Sequence, residues 1–162
     1  MSPLDDLFSG DDERAEAALK VIRGDNLPGL GAALTSDNPE KRWWAACALS
    51  RLSDERATAA LLAATADPDP DVRAVVLHGL GQLRAPGAVT PLLFALNDSR
   101  AFLARLATDA LIHIGLPAVP GLIRALEQDA EARVRANAAR ALALIGDQSA
   151  IPALFHASKT IR

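Results

Sequence analysis

The sequence predicts an all-helical protein, a right-handed α-α superhelix (α-solenoid) of about five helical hairpins. Half of the 162 residues are apolar, yet only 4% are aromatic and tyrosine is absent. A core built from small and aliphatic side chains favours close-packed helices over a sheet sandwich. No long segment alternates polar and apolar residues with period two, so we expect no strands. The third observation is an internal repeat of about 31 residues, which is typical of solenoids.

This repeat is visible in four columns of equivalent positions that keep the period across most of the chain. Three columns are apolar, and one is polar and lies at the turn that opens each repeat. In the apolar column that begins with Leu61, one step is a residue short, and the next step restores the register. The columns are Leu49, Leu80, Leu111 and Leu142; Leu52, Leu83, Ile114 and Ile145; Ser36, Asp67, Asp98 and Asp129; and Leu61, Leu92, Leu122 and Leu154.

Each repeat begins with a turn rich in aspartate, asparagine and proline, such as DNPEK or DPDPD. In these turns Asn38 and Asp69 are placed to cap a helix, and Pro39 and Pro70 fall at the first helical position, where a missing N–H costs nothing. Apolar residues then follow at a spacing near 3.6, which predicts that one face of this first helix packs into the core. In the third repeat the stripe is Val72, Val76, Leu80 and Leu83.

A short turn leads from this helix to a second, shorter and more apolar helix. The turns read SDER, RAPG, GLP and GDQS, and the second helices include AVTPLLFAL, AVPGLIRAL and AIPALFHA. The first repeat is degenerate, because Asp11 stands where later repeats carry arginine, and we expect it to act as a terminal cap. The predicted repeats cover about residues 11–35, 36–66, 67–97, 98–128 and 129–158 of a single domain, 1–162.

The unit resembles HEAT-type repeats, in the short bacterial form also found in phycobilisome-lyase-type proteins. The segments DPDPDVRAVVLHGLGQLRAPGAVTPLLFAL and DAEARVRANAARALALIGDQSAIPALFHA carry the resemblance, which extends over most of the chain. It implies a solenoid of helical hairpins that serves as a scaffold and binding surface. It implies no particular activity, because one fold supports many functions.

The resemblance also implies a ladder in which a turn aspartate pairs with an arginine six residues later. The matching pairs are Asp67 with Arg73 and Asp129 with Arg135, whereas Ser36 stands in for the acid in the second repeat and Ala104 for the arginine in the fourth. An acid at a helix N-terminus complements the helix dipole and can hold an arginine one turn further on. We therefore expect these four residues to be structural.

In the resembling family, the helix with the valine-arginine pair lines the concave surface. The free stripe of that helix in the third repeat runs through Asp71, Val75, His78 and Gln82, and the equivalent positions change residue type at every repeat. Apolar residues at 44, 75 and 106 predict a partly apolar groove, although one tryptophan can instead fill space between repeats while the other flanks it. The candidate partner-binding residues are Trp43, Trp44, Arg51, Val75, His78, Leu106, Asp109, His113 and Arg140.

Candidate chemistry is sparse. His78, Asp109 and His113 form the one constellation that resembles a site, but the spacing across helices is loose and no second acid stands nearby, so we expect surface histidines. Cys47 has no base in the pattern, and no Gly-rich phosphate loop, G-x-S-x-G elbow or H-E-x-x-H motif is present. We expect no catalytic residue, no metal and no cofactor, and hence no enzyme.

Charge and composition narrow the class of partner. The net charge of −3 argues against nucleic acid, and we expect no signal peptide and no membrane span, which makes a cytoplasmic protein the default. The leading hypothesis is a non-enzymatic scaffold whose concave groove holds a peptide or protein. The alternatives are an accessory or chaperone-like subunit of a phycobilin-lyase-like enzyme and, disfavoured by the acidic charge, a relative of HEAT-like DNA glycosylases. Self-association through the repeat ends stays open.

Overall fold

A computed structural model describes residues 2–160, and every regular element within them is helical. This confirms the predicted all-helical class. The chain divides into two compact units, Met1–Leu83 and Arg84–Arg162, each with its own set of buried leucines. The assignment of residues 1–162 to a single domain stays a prediction.

The first unit begins with a short helix, α1 (Pro3–Leu7), which the sequence pattern did not predict. Five further helices follow: α2 (Asp12–Val21), α3 (Leu27–Ala33), α4 (Pro39–Leu49), α5 (Glu55–Ala63) and α6 (Pro70–Gln82). Helix α1 packs against α2, and α4 packs against α3, α5 and α6. The largest fully buried side chains of this unit are Leu7, Leu30, Leu49, Leu61, Leu77 and Leu80.

The predicted caps of the first unit are confirmed. The side-chain oxygen of Asn38 accepts a hydrogen bond from a backbone N–H of α4 at 2.9 Å, and that of Asp69 accepts one from α6 at 2.8 Å. Pro39 and Pro70 occupy the first turns of the same helices. These two caps settle where α4 and α6 begin, and the first turns of both helices line the groove described below.

Helices α4 and α6 approach closely at Gly79. A Cβ atom on Gly79 would lie 2.5 Å from Cβ of Ser50 and 3.5 Å from its Cα. The absence of a side chain at this position therefore sets how near the two helices come, because the atoms opposite are close to the backbone.

The second unit contains α7 (Val89–Ala95), α8 (Ala101–Ile114), α9 (Val119–Gln128), α10 (Ala132–Ile145) and α11 (Ile151–Thr160). Gly115 and Gly146 follow α8 and α10 with φ of 78° and 73°, a backbone region that favours glycine and ends a helix. Helix α10 packs against α8 and α9. The largest fully buried side chains here are Leu92, Leu96, Leu103, Leu111, Leu122 and Leu142.

No single helix between residues 2 and 160 has the length and apolar composition needed to span a membrane. The segments Ala101–Ile114 and Leu116–Gln128 reach that length and composition only when they are taken together, and a bend of 118° separates them. Both segments supply leucines to the core of the second unit.

Candidate partner-binding groove

The two tryptophans of α4 have different surroundings. Their ring centroids lie 4.8 Å apart with an interplanar angle of 86°, an edge-to-face arrangement. Trp44 is only 8% exposed, which agrees with the alternative that one tryptophan fills space inside the protein, and its contact with a partner stays a prediction. Its position lies at the border of the apolar stripe, where a large side chain gains more by turning into the protein. Trp43 is half-buried and keeps part of its indole at the surface.

Trp43 lines an open groove of about 470 Å³ in the first unit. Two of the residues that form the groove, Asp71 and Val75, belong to the stripe that the sequence predicted to be free. The whole lining comes from the beginnings of α4 and α6: Pro39, Glu40, Trp43, Asp69, Asp71, Ala74 and Val75.

Three carboxylates, those of Glu40, Asp69 and Asp71, line the groove beside its apolar residues. Asp69 uses one carboxylate oxygen to accept the N–H groups of Asp71 and Val72, at 2.8 Å and 3.3 Å. The carboxylates of Glu40 and Asp71 are exposed and make no hydrogen bond or ion pair with any other residue of the described range 2–160. The N-termini of two helices offset part of this charge, but no cationic side chain lines the groove.

This arrangement suits a positively charged group with apolar neighbours. The face of a tryptophan attracts a cation, and the attraction grows when the pair is partly shielded from water. Two unpaired acids at the rim add a longer-range attraction and favour a defined orientation. An anionic ligand would meet repulsion from the same carboxylates.

A second open groove, of about 860 Å³, is lined by the turns before α4 and α6 and by the end of α5. Two of the charged residues that line it, Arg42 and Asp67, are paired with one another. Arg42 Nε lies 2.7 Å from Asp67 Oδ2 and Nη2 lies 2.9 Å from Oδ1, in a bidentate pair whose side chains are 11% and 5% exposed. The cation of the larger groove is therefore neutralised by Asp67, the other charged residues of its lining are Asp37 and Asp69, and no tryptophan lines it.

The ion pair also shifts the ionisation of both partners. Burial opposes ionisation of Asp67, but the hydrogen bonds from Arg42 and from the backbone N–H of Asp69 outweigh it and lower the pKa of the carboxyl below its ordinary value. The same hydrogen bond raises the pKa of Arg42. Asp67 thus stays charged in the folded protein and acts as a structural anion.

The predicted ladder needs correction in its contacts. Nη1 of Arg73 donates to the backbone carbonyl oxygen of Asp67 at 2.7 Å, and the Asp67 carboxylate accepts hydrogen bonds from Arg42 and from the N–H of Asp69. Arg135 likewise donates to the carbonyl oxygens of Asp129 and Ala130, at 2.9 Å and 2.8 Å. Because the acceptor is a backbone carbonyl, this arginine contact does not require an acid at the turn position. Arg42 accordingly donates to the carbonyl oxygen of Ser36 at 2.9 Å.

The polar column itself has a different common role. The side chains of Ser36, Asp67, Asp98 and Asp129 each accept the backbone N–H two residues ahead, at 3.3, 2.9, 2.9 and 2.9 Å. Such short-range bonds shape the turn before each first helix. The six-residue spacing therefore reports two separate backbone contacts, one by the acid and one by the arginine.

The other candidates in the first unit lie at or near its surface. Arg51 and His78 are exposed, and Val75 is half-buried in the groove. Cys47 is half-buried, and burial raises the pKa of its thiol to about 12. A thiol with so high a pKa carries almost no thiolate at neutral pH and is a poor nucleophile.

In the second unit, Leu106 is half-buried and His113 and Arg140 are exposed. Asp109 lies 3.7 Å from Arg140 in a pair whose side chains are 43% and 53% exposed, so it already has a cationic neighbour. Across residues 2–160 we find no cluster of three or more His, Cys, Asp or Glu side chains arranged to hold a metal ion.

Sequence reasoning missed the acids of the groove and several exposed aromatics. Glu40 was visible in the turn motif DNPEK but was interpreted only as part of a helix start, and Asp71 was placed on the free stripe without being proposed as a binding residue. Phe94, on α7, is 80% exposed and Phe155, on α11, is 61% exposed. Both are large apolar residues on second helices, whereas the predicted binding surface was confined to the free stripe of the first helices.

The repeat model for HEAT repeats matches residues 27–112 and 119–160, well over half of the chain. The chain belongs to the HEAT-repeat family. No curated protein matches the sequence of this HEAT-repeat chain. Its fold is similar to that of a chain in the complex of CpcE and CpcF of phycocyanin lyase from Nostoc sp. PCC7120, with a TM-score of 0.63 and 23% identity over 90% of this chain. The HEAT-repeat chain spans 65% of the length of that protein.

Two engineered proteins also have folds similar to that of this chain. Their TM-scores are 0.58 and 0.57, with 22% and 21% identity over 96% and 97% of this chain. The chain spans 46% of the first and 84% of the second. At these identities the similarities establish the fold alone, and the match of the family model confirms the predicted HEAT-type repeat.

Proposed function

We propose that this HEAT-repeat protein is a non-enzymatic scaffold that binds a protein or peptide segment in the Trp43 groove, and that the segment carries a lysine or arginine flanked by apolar residues. HEAT repeats commonly form protein-binding surfaces, which supports the general class. The observation that carries the finer proposal is the pair of unpaired carboxylates, Glu40 and Asp71, beside the half-buried Trp43 and Val75.

The mechanism is recognition by a preformed surface. The Trp44 ring braces Trp43 from behind, so little side-chain freedom is lost on binding. Trp43 and Val75 would cover the apolar part of the segment, and the rim acids would steer and orient its cation. Arg51, His78, Leu106, Asp109, His113 and Arg140 stay candidates for further contacts.

A library of displayed 12-residue peptides, selected against the wild-type protein, tests the proposal. We expect the enriched peptides to carry lysine or arginine next to aliphatic residues, with affinity that falls as salt is raised. Trp43→Ala should weaken the best peptide by at least about tenfold, as at other aromatic hot spots. Phe94→Ala, an exposed aromatic outside the groove, is the matched control and should leave binding unchanged.

The charge component has its own pair of variants. Glu40→Gln and Asp71→Asn should each reduce the affinity several-fold and flatten its salt dependence, because the rim charge drives association. Selection of acidic peptides, or binding that survives both Trp43→Ala and the double charge variant, would show that the groove is not the binding site.

A second candidate function is an accessory subunit of a lyase-type enzyme. It is supported by the similarity of the fold to a chain of the phycocyanin lyase complex. In this case the protein should change the absorbance or fluorescence of an added bilin, alone or with a partner subunit. An unchanged bilin spectrum in both mixtures would leave the scaffold as the better proposal.

A further inference from the structure

The Trp43 groove and the larger groove of the first unit share part of their walls. Pro39 and Asp69 line both of them, so the two grooves meet between the start of α4 and the cap of α6. The Trp43 groove holds about 470 Å³ and the larger groove about 860 Å³. A chain segment that lies in one groove can therefore continue into the other along the surface of the same unit.

The larger groove has a floor of small apolar side chains. They come from α5, from the turn after it and from the turns before α4 and α6: Ala60, Ala63, Ala64, Ala66, Pro39, Pro68 and Pro70. Short side chains of this kind leave room for those of a ligand. The long methylene stem of a lysine or arginine can pack on such a floor while its charged end reaches an acid at the rim.

Two acids of the larger groove are free to meet that charged end. The carboxylate of Asp37 is exposed and makes no hydrogen bond or ion pair with another residue of the range 2–160. Asp69 uses Oδ1 for two N–H groups of α6, and its Oδ2 accepts no hydrogen bond within that range. The cation of the lining, Arg42, is already held by the buried Asp67 carboxylate. The free charge at both grooves is therefore negative.

The charge of the whole first unit has the same sign. Residues 1–83 contain fourteen Asp and Glu but eight Lys and Arg. At physiological ionic strength such an excess attracts a basic segment over about 8 Å and repels an acidic one. The acids of the two grooves then determine where the cations of the segment come to lie.

We propose that the two grooves form one track for an extended segment with two cationic residues, a partner class that rests on the scaffold function proposed above and narrows it. The first cation lies in the Trp43 groove. The stem of the second lies on the alanine floor of the larger groove, with its charged end at Asp37. The stretch between them crosses Pro39, where a backbone N–H of the segment can donate to Oδ2 of Asp69.

Labelled synthetic peptides test the track on the full-length protein. Each peptide carries one lysine between leucines, GLKLG, then a glycine-serine spacer and a second lysine between alanines. The spacer has about two to six residues, each of which adds about 3.3 Å when extended. The matched peptide of each length has glutamine in place of the second lysine. In fluorescence anisotropy the second lysine should tighten binding about fivefold for at least one spacer, and added salt should reduce this gain.

Two variants of the larger groove should remove the gain from the second lysine. Asp37→Asn deletes the charge that this lysine meets, and Ala63→Arg places a long cationic side chain on the floor. Both should leave the one-lysine peptides within about twofold of their wild-type affinity. Ala59→Arg is the matched control and should keep the gain. It adds the same charge one turn earlier on α5, at an exposed position outside the lining, and its side chain leans toward the start of the helix.

The outcomes distinguish the track from the scaffold function on which it rests. Trp43→Ala should weaken every peptide by about tenfold. If it does, equal affinities of the one-lysine and two-lysine peptides would overturn the track and leave the Trp43 groove as the binding site. A gain that survives both Asp37→Asn and Ala63→Arg would do the same, because it would come from the general charge of the unit.

Other results would count against both proposals. One is binding that does not depend on Trp43, and another is equal binding of a peptide with glutamate in place of both lysines. Failure of every peptide to bind at about 1 mM, the limit of a weak complex, is a third. Circular dichroism checks the fold of each variant. If Ala63→Arg loses helicity, Ala66→Arg at another exposed alanine of the floor takes its place, with the same expected loss of the gain.

Discussion

The two units are built from the same repeat but secure their helices in different ways. In the first unit, Asn38 and Asp69 cap the first helices of their repeats through side-chain oxygens. The equivalent residues of the second unit are Arg100 and Glu131, which make no side-chain cap hydrogen bond. The apolar columns are common to both units. The polar contacts are therefore the replaceable part of the repeat, and burial of leucine suffices where they are missing.

Their surfaces differ as well. The first unit exposes one large apolar side chain, Val21, and concentrates acids around Trp43. The second unit exposes most of the large apolar side chains found within residues 2–160: Phe94, Phe102, Leu116, Leu144, Ile151 and Phe155. The two units therefore differ in the surface that they expose, acidic around a tryptophan in the first and apolar in the second.

The largest difference in stability between equivalent substitutions in the two units should come from the turn aspartates. Asp67→Ala removes one partner of the buried pair with Arg42 and should lower the free energy of unfolding by about 3 kcal/mol. Asp129→Ala, its counterpart in the second unit, loses a single turn hydrogen bond and should cost about 1 kcal/mol. Urea denaturation followed by circular dichroism measures both. Equal losses would show that the ion pair does not distinguish the units.

Close packing provides a second contrast. Gly79→Ala forces a Cβ against Ser50, whose atoms lie next to the backbone and cannot yield, and should cost about 2 kcal/mol. Gly121→Ala meets the mobile end of Leu93, and the gain in helix propensity offsets the clash, so its stability should stay within about 1 kcal/mol of wild type. Thermal melting of the two variants tests this order, and a more damaging Gly121→Ala would reverse our interpretation of the two contacts.

Acid should weaken the first unit through Asp67. Because the folded pKa of Asp67 lies below its ordinary value, the carboxylate contributes stability above about pH 4, and this contribution is lost as the pH falls through the folded pKa. The stability gap between wild type and Asp67→Asn should therefore narrow steadily below about pH 4. Denaturation curves between pH 7 and pH 2.5 measure it. A gap that is independent of pH would mean that the charge of Asp67 adds nothing.

The smallest effect should come from transferring a cap. Arg100→Asp recreates at α8 the turn of Asp67 and Asp69, and it should stabilise the protein by about 0.5–1 kcal/mol. Asn38→Ala is the reciprocal change in the first unit and should destabilise by a similar amount. Opposite signs in the two urea midpoints are expected, and a destabilising Arg100→Asp would show that α8 does not lack a cap.

Much of the fold could be predicted because its signals are local. The 31-residue columns, the caps at Asn38 and Asp69 and the prolines after them depend on residues within one turn or one helix. Helix α1 escaped prediction because five residues are too short to show a period. The groove was predicted in part, through Asp71 and Val75, since a helical stripe tells which face is not in the core.

The partners of the charged residues could not be predicted. The spacing of Asp67 and Arg73 indicated a side-chain ion pair, yet Arg73 binds a backbone carbonyl and the carboxylate meets Arg42, which lies 25 residues earlier in the chain. The sequence also did not indicate which of Trp43 and Trp44 is buried. Adjacent residues on a helix face differ by about 100°, and both stand near the border of the apolar stripe.

The sequence by itself determined the class of fold, the repeat length, the helix starts and the apolar columns, because these follow from short-range capping and from helical periodicity. The tertiary structure decided which tryptophan is accessible, that Glu40 and Asp71 stand unpaired beside it, and that Arg42 binds the Asp67 carboxylate. Each of those outcomes depends on which side chains of different helices come together and on how much of each side chain stays exposed to solvent. No single segment of the chain encodes either property.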